Sequence, residues 1–140
     1  MTLELQATPE EVMRAVEALQ GFGQEKQVPQ KEIFGLALAL EECGSNIVNY
    51  ALQHDARQKF RVIIEHTGGA VSIELRDRGP AFDPTQVQVA EPAASEDDRP
   101  PGGWGIQLVR HYMDEIHYRR ESGENVLRLT KRVGPATGRE

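Results

Sequence analysis

A chain of 140 residues, 39% hydrophobic and 27% charged, is long enough for one domain with a real core, too short for two, and too apolar to be disordered. Its net charge of −6, from 22 acidic against 16 basic residues, argues against direct nucleic-acid binding; the basic pairs that stand out, Arg119-Arg120 and Lys131-Arg132, fall on expected strands. The single cysteine, Cys43, excludes an intramolecular disulfide, and His54, His66, His111 and His117 lack the spacing of a zinc site. With no apolar leader and no run of ~18 apolar residues, the expectation is a cytoplasmic protein that does not engage a membrane.

In chain order, "LELQA" alternates Leu3 and Leu5 with polar neighbours, a short strand pattern. "TPEEVMRAVEALQGFG" opens a helix with Thr8 as N-cap, Pro9 at the first helical position and Glu11 closing a capping box, and Gly21 and Gly23 are expected to end it. Pro29 opens a long second helix, expected over about residues 30–53. "KFRVIIEH" and "AVSIELRD" alternate as strands and are joined at Thr67-Gly68-Gly69, which predicts a hairpin. From Arg78 to Gly103 periodicity disappears into a segment rich in Pro, Gly, Ala and acids; loops of this length have a task or are disordered. "GIQLVRHYMD" is a third helix, "EIHYRRES" and "NVLRLTKRV" form a closing hairpin around Ser122-Gly123-Glu124, and "GPATGRE" reads as a frayed tail. The order β-α-α-β-β-loop-α-β-β predicts a two-layer α+β sandwich: one mostly antiparallel sheet with helices on one face, over residues 1–133, followed by a flexible tail at 134–140.

Within the second helix, "LALALEECGSNIVNYAL", an apolar stripe of Leu36, Leu40, Ile47 and Ala51 is accompanied by Glu42, Asn46 and Asn49 on another side. The flanks Leu38, Ala39, Val48 and Tyr50 leave little room for an ordinary solvated face, so a carboxylate and two carboxamides there need partners or a purpose. An asparagine carbonyl oxygen is a good hard ligand for Mg²⁺, which keeps several waters and takes its other ligands from phosphates. A carboxylate one turn earlier is placed to accept a proton from an attacking hydroxyl.

Two further stretches belong with this helix. "DRGPAF" ends an alternating strand, where Asp77 can accept a hydrogen bond from an exocyclic amine such as that of adenine and Gly79 lets the backbone approach a ring. "GGWGIQLV" turns the long loop into a helix, and Gly102, Gly103 and Gly105 allow tight turns whose amides point at phosphates while the helix adds its positive end. Neither a P-loop nor a dinucleotide-binding GxGxxG is present.

The three stretches, in this order, resemble the N box, G1 box and G2 box of the ATPase superfamily shared by gyrase, heat-shock chaperone ATPases, histidine kinases and mismatch-repair ATPases. More closely, "LEECGSNIVNYA", "DRGPAFDP" and "GGWGIQLVRHYMDEIHYRRESGENVLRLTKR" resemble the bacterial anti-sigma-factor serine/threonine kinases, over about residues 3–133. The resemblance implies the histidine-kinase-like ATPase (Bergerat) fold, with ATP and Mg²⁺ as cofactors. It makes Glu42 the general base and Asn46 the magnesium ligand, with Asn49 on the same face to reach a phosphate or magnesium-bound water. It makes Asp77 the adenine-reading acid, lines the nucleotide with Gly79, Ala81 and Phe82, and gives Gly102, Gly103, Trp104, Gly105 and Ile106 to the second glycine box, Gly103 and Gly105 facing phosphate. The ATP lid would span roughly Asp83 to Pro101.

Three positions depart from the pattern. Ala81 stands where histidine kinases often have a second glycine, with Pro80 before it; Pro101 stands where related kinases often carry an arginine, the nearest being Arg99; and the Gly-Thr that often begins the last strand is Gly123-Glu124. The resemblance implies a serine/threonine kinase that doubles as an anti-sigma factor, binding a sigma factor or, alternatively, phosphorylating a STAS-domain antagonist, and working as a homodimer. A nucleotide-dependent binding switch with little kinase activity, and the catalytic domain of a histidine kinase, stay open beside it; the latter lacks any histidine in residues 1–30 to serve as phosphoacceptor.

Overall fold

The computed structural model describes residues 1–86 and 105–134. The elements run β1 (Thr2–Gln6), α1 (Pro9–Glu25), α2 (Gln30–Asn46) continued by a π-helical turn (Ile47–Ala51), β2 (Lys59–Thr67), β3 (Ala70–Asp77), a 3₁₀ turn (Pro84–Gln86), α3 (Gly105–Tyr112), β4 (Glu115–Glu121) and β5 (Glu124–Arg132). The five strands form one sheet in the order β1-β2-β3-β5-β4, every described pairing antiparallel. This is the α+β sandwich that the sequence predicts.

Local chemistry sets these elements. Thr8 caps α1 by accepting the Glu11 N–H at 3.2 Å, while Glu11 Oε1 reaches past the cap to the Gln6 N–H at 3.1 Å, so the reciprocal bond lands two residues before its expected partner. The expected stop at Gly21 and Gly23 does not occur; α1 runs on to Glu25. Gly23 is a contact residue: a Cβ there would lie 2.7 Å from Ile33 Cδ1 of α2, so its absence lets the two helices close together. Both hairpins turn on two residues with positive φ, Gly68 and Gly69 in one and Ser122 and Gly123 in the other, the twist that matches antiparallel strands.

The core lies between the sheet and the helices, with α2 packed between α1 and α3. Phe60, Ile64 and Ile73 from the sheet and Leu19, Leu36 and Leu40 from the helices are almost completely buried, each contributing about 1.5–3 kcal/mol of hydrophobic stabilisation.

The other sheet face carries a ladder of alternating charge. Glu65 pairs with Arg128, Arg128 with Glu74, Glu74 with Arg76, Arg76 with Glu124, and Glu124 with Arg61, at N–O distances from 2.7 to 3.7 Å. The stems of these side chains cover apolar surface: Val126, in register with Arg76 and Arg119, is fully buried on that face.

Candidate functional site

The far end of α2 departs from regular helix. The Leu52 N–H donates to the Ile47 carbonyl at 2.8 Å, a five-residue step, and the His54 N–H donates to the Val48 carbonyl at 2.7 Å. Gln53 and His54 then leave the helix with φ of 53° and 61°, positive values that non-glycine residues adopt at a cost. The second helix, expected as one run to about residue 53, therefore ends in a widened turn, a feature frequent at functional sites. The turn brings the Ala51 carbonyl against the backbone of Gly79 just after β3, where a Cβ on residue 79 would stand 2.7 Å from it.

Between this turn, β3, β5 and α3 lies a small pocket of about 40 Å³, partly open to solvent and mostly apolar in its lining. Cys43, Asn46, Ile47 and Ala51 line it from the helix, Leu75 and Asp77 from β3, and Ile106 and Val109 from α3. Phe82 and Pro84 stand at one side, and Tyr118, Asn125 and Leu127 complete it from the closing hairpin.

The carboxylate of Asp77 is almost fully buried there. Its Oδ1 accepts the Gly79 N–H at 2.8 Å and the Asn125 side-chain amide at 3.0 Å. Burial pushes its pKa up; those two hydrogen bonds and the Arg120 charge oppose the rise, and Glu124 adds to it. Arg120 also donates to the Gly79 carbonyl at 2.8 Å, tying β4 to the same loop. Cys43 is a core residue: burial, with the Glu42 charge adding, pushes its thiol up to about 12, far from a reactive thiolate.

The fold thus gathers Asn46, Asp77, Phe82 and Ile106 around one cavity. Glu42 and Asn49 are half-buried on the same helix but do not line it, Gly79 is buried beneath it, and Ala81 is exposed beside it. Gly105 is the first residue of α3. Gly102, Gly103 and Trp104 lie outside the described residues, as do positions 87–101 of the expected lid and 135–140 of the expected tail.

Asn125 was not singled out by the motifs, and neither were Tyr118 and Arg120. The sequence does carry a signal for Asn125: it falls in phase with Leu127 and Leu129, an amide on the inward side of a strand. The residue in register with Asp77 is Asn125, next after the Gly123-Glu124 departure, whereas Glu124 faces the charged ladder.

Residues 5–131 match the family described as histidine kinase-like ATPase domain, and the chain belongs to it. Within it the chain falls among the serine/threonine protein kinases: the serine/threonine-protein kinase BtrW of Bordetella bronchiseptica is 34% identical over 134 residues, 96% of this chain and 94% of that protein. The serine-protein kinase RsbW of Bacillus subtilis is 26% identical over 128 residues, covering 89% of this chain and 80% of its own. Among solved structures, that of the RsbU and RsbW domains of Rv1364c from Mycobacterium tuberculosis has a TM-score of 0.67 at 19% identity, covering 95% of this chain and 31% of that longer one. The SiaB-SiaC complex from Pseudomonas aeruginosa has a TM-score of 0.66 at 15% identity, covering 93% of this chain and 88% of that one. At these identities the two structures show a shared fold. The resemblance to the anti-sigma-factor serine/threonine kinases holds at the level of the family, which is one of ATP-using enzymes. Among the described residues no helix is long and apolar enough to cross a membrane.

Proposed function

We propose that the protein is an ATP- and Mg²⁺-dependent serine/threonine kinase of a cytoplasmic partner-switching system, phosphorylating a STAS-domain antagonist and otherwise holding a sigma factor or comparable regulatory target. The observation that carries the reading is the pocket itself, an apolar slot with one buried carboxylate, Asp77, at its base and the carboxamide of Asn46 at its wall. A planar purine suits the apolar lining, and Asp77 would accept a hydrogen bond from its exocyclic amine. A Cβ at Gly79 would meet Ala51 of the π turn, so this glycine supports the fit by letting the loop after Asp77 close on that turn.

Asn46 fits the metal by donor type: among the described residues no cluster of three His, Cys, Asp or Glu could hold an ion alone, and magnesium takes few protein ligands when phosphates supply the rest. When bound, magnesium would neutralise charge developing on the phosphates. Glu42, one turn before Asn46 and outside the slot, would accept the proton of the incoming serine or threonine hydroxyl. Ile106 and Val109 of α3 would close the slot against the base. The domain assignment, 1–133 with a lid over 83–101 and a tail at 134–140, belongs to this proposal, as does a homodimer. BtrW and RsbW are named as kinases, and SiaB was solved in complex with SiaC; these names support a partner-switching role here.

Pro101, standing where related kinases often carry an arginine, favours a second reading, a nucleotide-dependent binding switch with little phosphoryl transfer. One experiment separates the two. Partners are captured from the host with and without ATP, and each is incubated with the purified protein, Mg²⁺ and γ-labelled ATP. Label on a serine or threonine of a STAS-domain protein is the expected result; ATP-dependent capture without label assigns the switch instead.

A further inference from the structure

We infer that the outer face of the sheet carries a docking cleft for an extended acidic segment of a partner protein, gripped by Lys59 and Arg61 of β2, Arg76 of β3 and Arg78 just beyond it. The inference goes beyond the nucleotide reading of the slot and does not depend on it.

Strand alternation creates the cleft. Phe60 and Val62 of β2 and Leu75 of β3 are buried on the helix side, so Lys59, Arg61 and Arg76 point the other way, and Arg78 continues the alternation past Asp77. Arg61 and Arg76 stand directly opposite each other in register. Lys59 and Arg78 follow one step further along the same two chains. Two residues along a strand span roughly 7 Å and neighbouring strands lie about 5 Å apart, so the four cations mark the corners of a small rectangle. They line a cleft of about 630 Å³, bounded by Glu4 on the β1 side and Glu124 on the β5 side. Arg57 stands at its end, held by Asp55 at 3.0 Å.

Like charges directly opposite one another cost stability in a sheet. Elsewhere on this face the register avoids that cost: Glu74 stands opposite Arg128, and the two pair at 3.4 Å. At the Arg61–Arg76 step one acid, Glu124, is shared between both guanidinium groups at 3.4 and 3.3 Å. Lys59 and Arg78 are exposed, and among the described residues no acid pairs with either. Positive charge therefore collects at this end of the face, in a chain whose net charge is −6.

An extended chain with acids at every second residue repeats the same step of roughly 7 Å. Two of its carboxylates meet Lys59 and Arg61, or Arg78 and Arg76, without bending the chain. Glu4 sets the boundary, because it repels an acid that strays toward β1. Nucleic acid fits less well. The aromatic residue of the lining, Phe60, is buried in the core and offers no ring to a base, and the net negative charge of the chain opposes a long polyanion. The cleft is separate from the slot: Asp77 and Asn125 line the slot, and their chain neighbours Arg78 and Glu124 line the cleft.

The test uses the whole protein and three short fluorescein-labelled peptides. One alternates glutamate with threonine, one has the same composition with its glutamates in a block, and one alternates glutamine with threonine. Binding is followed by anisotropy at low salt, with thermal melts as the control for folding. The alternating acidic peptide is expected to bind saturably, about fivefold or more tighter than the block, with no binding of the glutamine peptide. Lys59→Gln combined with Arg78→Gln should weaken it about fivefold or more, whereas the exchange Lys59→Arg with Arg78→Lys should keep it. Lys26→Gln with Lys31→Gln removes the same charge at exposed positions elsewhere and should change affinity by less than about twofold. No binding, an affinity set by composition alone, indifference to the loss of Lys59 and Arg78, or an equal loss in the Lys26 and Lys31 variant each overturns the inference. Tighter binding of oligothymidylate through the same two residues assigns the cleft to nucleic acid, and equimolar displacement of the peptide by inorganic pyrophosphate assigns it to a small anion; either result also overturns the inference.

Discussion

Gly79 and Ala51 are locked backbone to backbone: a single added carbon at Gly79 would lie 2.7 Å from the Ala51 carbonyl oxygen and 2.9 Å from its Cβ. The contact joins the end of the strand that carries Asp77 to the end of the helix that carries Asn46. Neither side is a flexible side-chain tip, so relief requires the loop or the π turn to move. Gly79→Ala is expected to lower stability by about 1–3 kcal/mol and ATP affinity tenfold or more, the range of overpacking at a rigid site. Melting and calorimetry on one preparation check both, and unchanged ATP affinity would show that the two elements do not jointly build the site.

Burial of Asp77 sets a pH dependence with a definite sign. An acid whose pKa is higher in the folded than in the unfolded chain binds more protons when folded, so it costs stability as pH rises. That cost is absent well below the unfolded carboxylate range and complete once pH passes the raised native value. Asp77→Asn is therefore expected to melt higher than wild type at neutral pH, with the gap closing as pH falls through the carboxylate range, and to lose ATP binding. Melts across pH 3 to 8 decide; a variant less stable than wild type at pH 7 contradicts the assignment of burial as the leading cause.

Asn46 and Glu42 separate binding from chemistry. Asn46→Ala should weaken Mg²⁺-dependent ATP binding tenfold or more, since a lost coordinating oxygen costs on the order of 1–3 kcal/mol. Glu42→Gln should leave ATP binding intact and cut phosphoryl transfer to a STAS-domain partner by roughly 10²–10⁴-fold. The competing view, in which Glu42 only stabilises its helix, expects a lower melting temperature and unchanged turnover per folded molecule.

Cys43 gives a chemical probe of the slot. With its thiol pushed up to about 12 and shielded from solvent, it should react with a thiol reagent only when the protein opens. Labelling should accelerate in step with unfolding in denaturant and slow when ATP is added. Rapid, ATP-insensitive labelling in native buffer would place the thiol outside the buried lining.

The sheet was legible because its strands alternate cleanly: "AVSIELRD" puts Val71, Ile73 and Leu75 on the core face and the strand runs over those eight residues. The site was legible only where residue type betrays chemistry, as with an acid ending a strand before a glycine. Periodicity cannot register the π turn, because "IVNYA" continues an α-helical apolar pattern and the extra residue changes only the hydrogen-bond step. The stop expected at Gly21 and Gly23 failed: Gly23 serves close packing against Ile33 instead of termination, and at Gly21 the helix runs on over open space. Asn125 escaped notice because its meaning depends on a register between strands 48 residues apart in sequence.

The charged ladder on the outer sheet face gives the molecule two sides of different character. A two-layer sandwich leaves one sheet surface without a covering layer, and an apolar surface there would invite stacking with other sheets. Here Glu74 and Glu124 are each shared by two guanidinium groups, so the ladder's acids are offset by its arginines. Among the described residues, the large apolar side chains that reach solvent are Met1 ahead of β1, Met13, Phe34 and Leu108 on the helices, Tyr50 on the π turn and Phe82 at the pocket. Among the described residues, the uncovered sheet face is thus kept wet by paired charge and not by a further layer of structure.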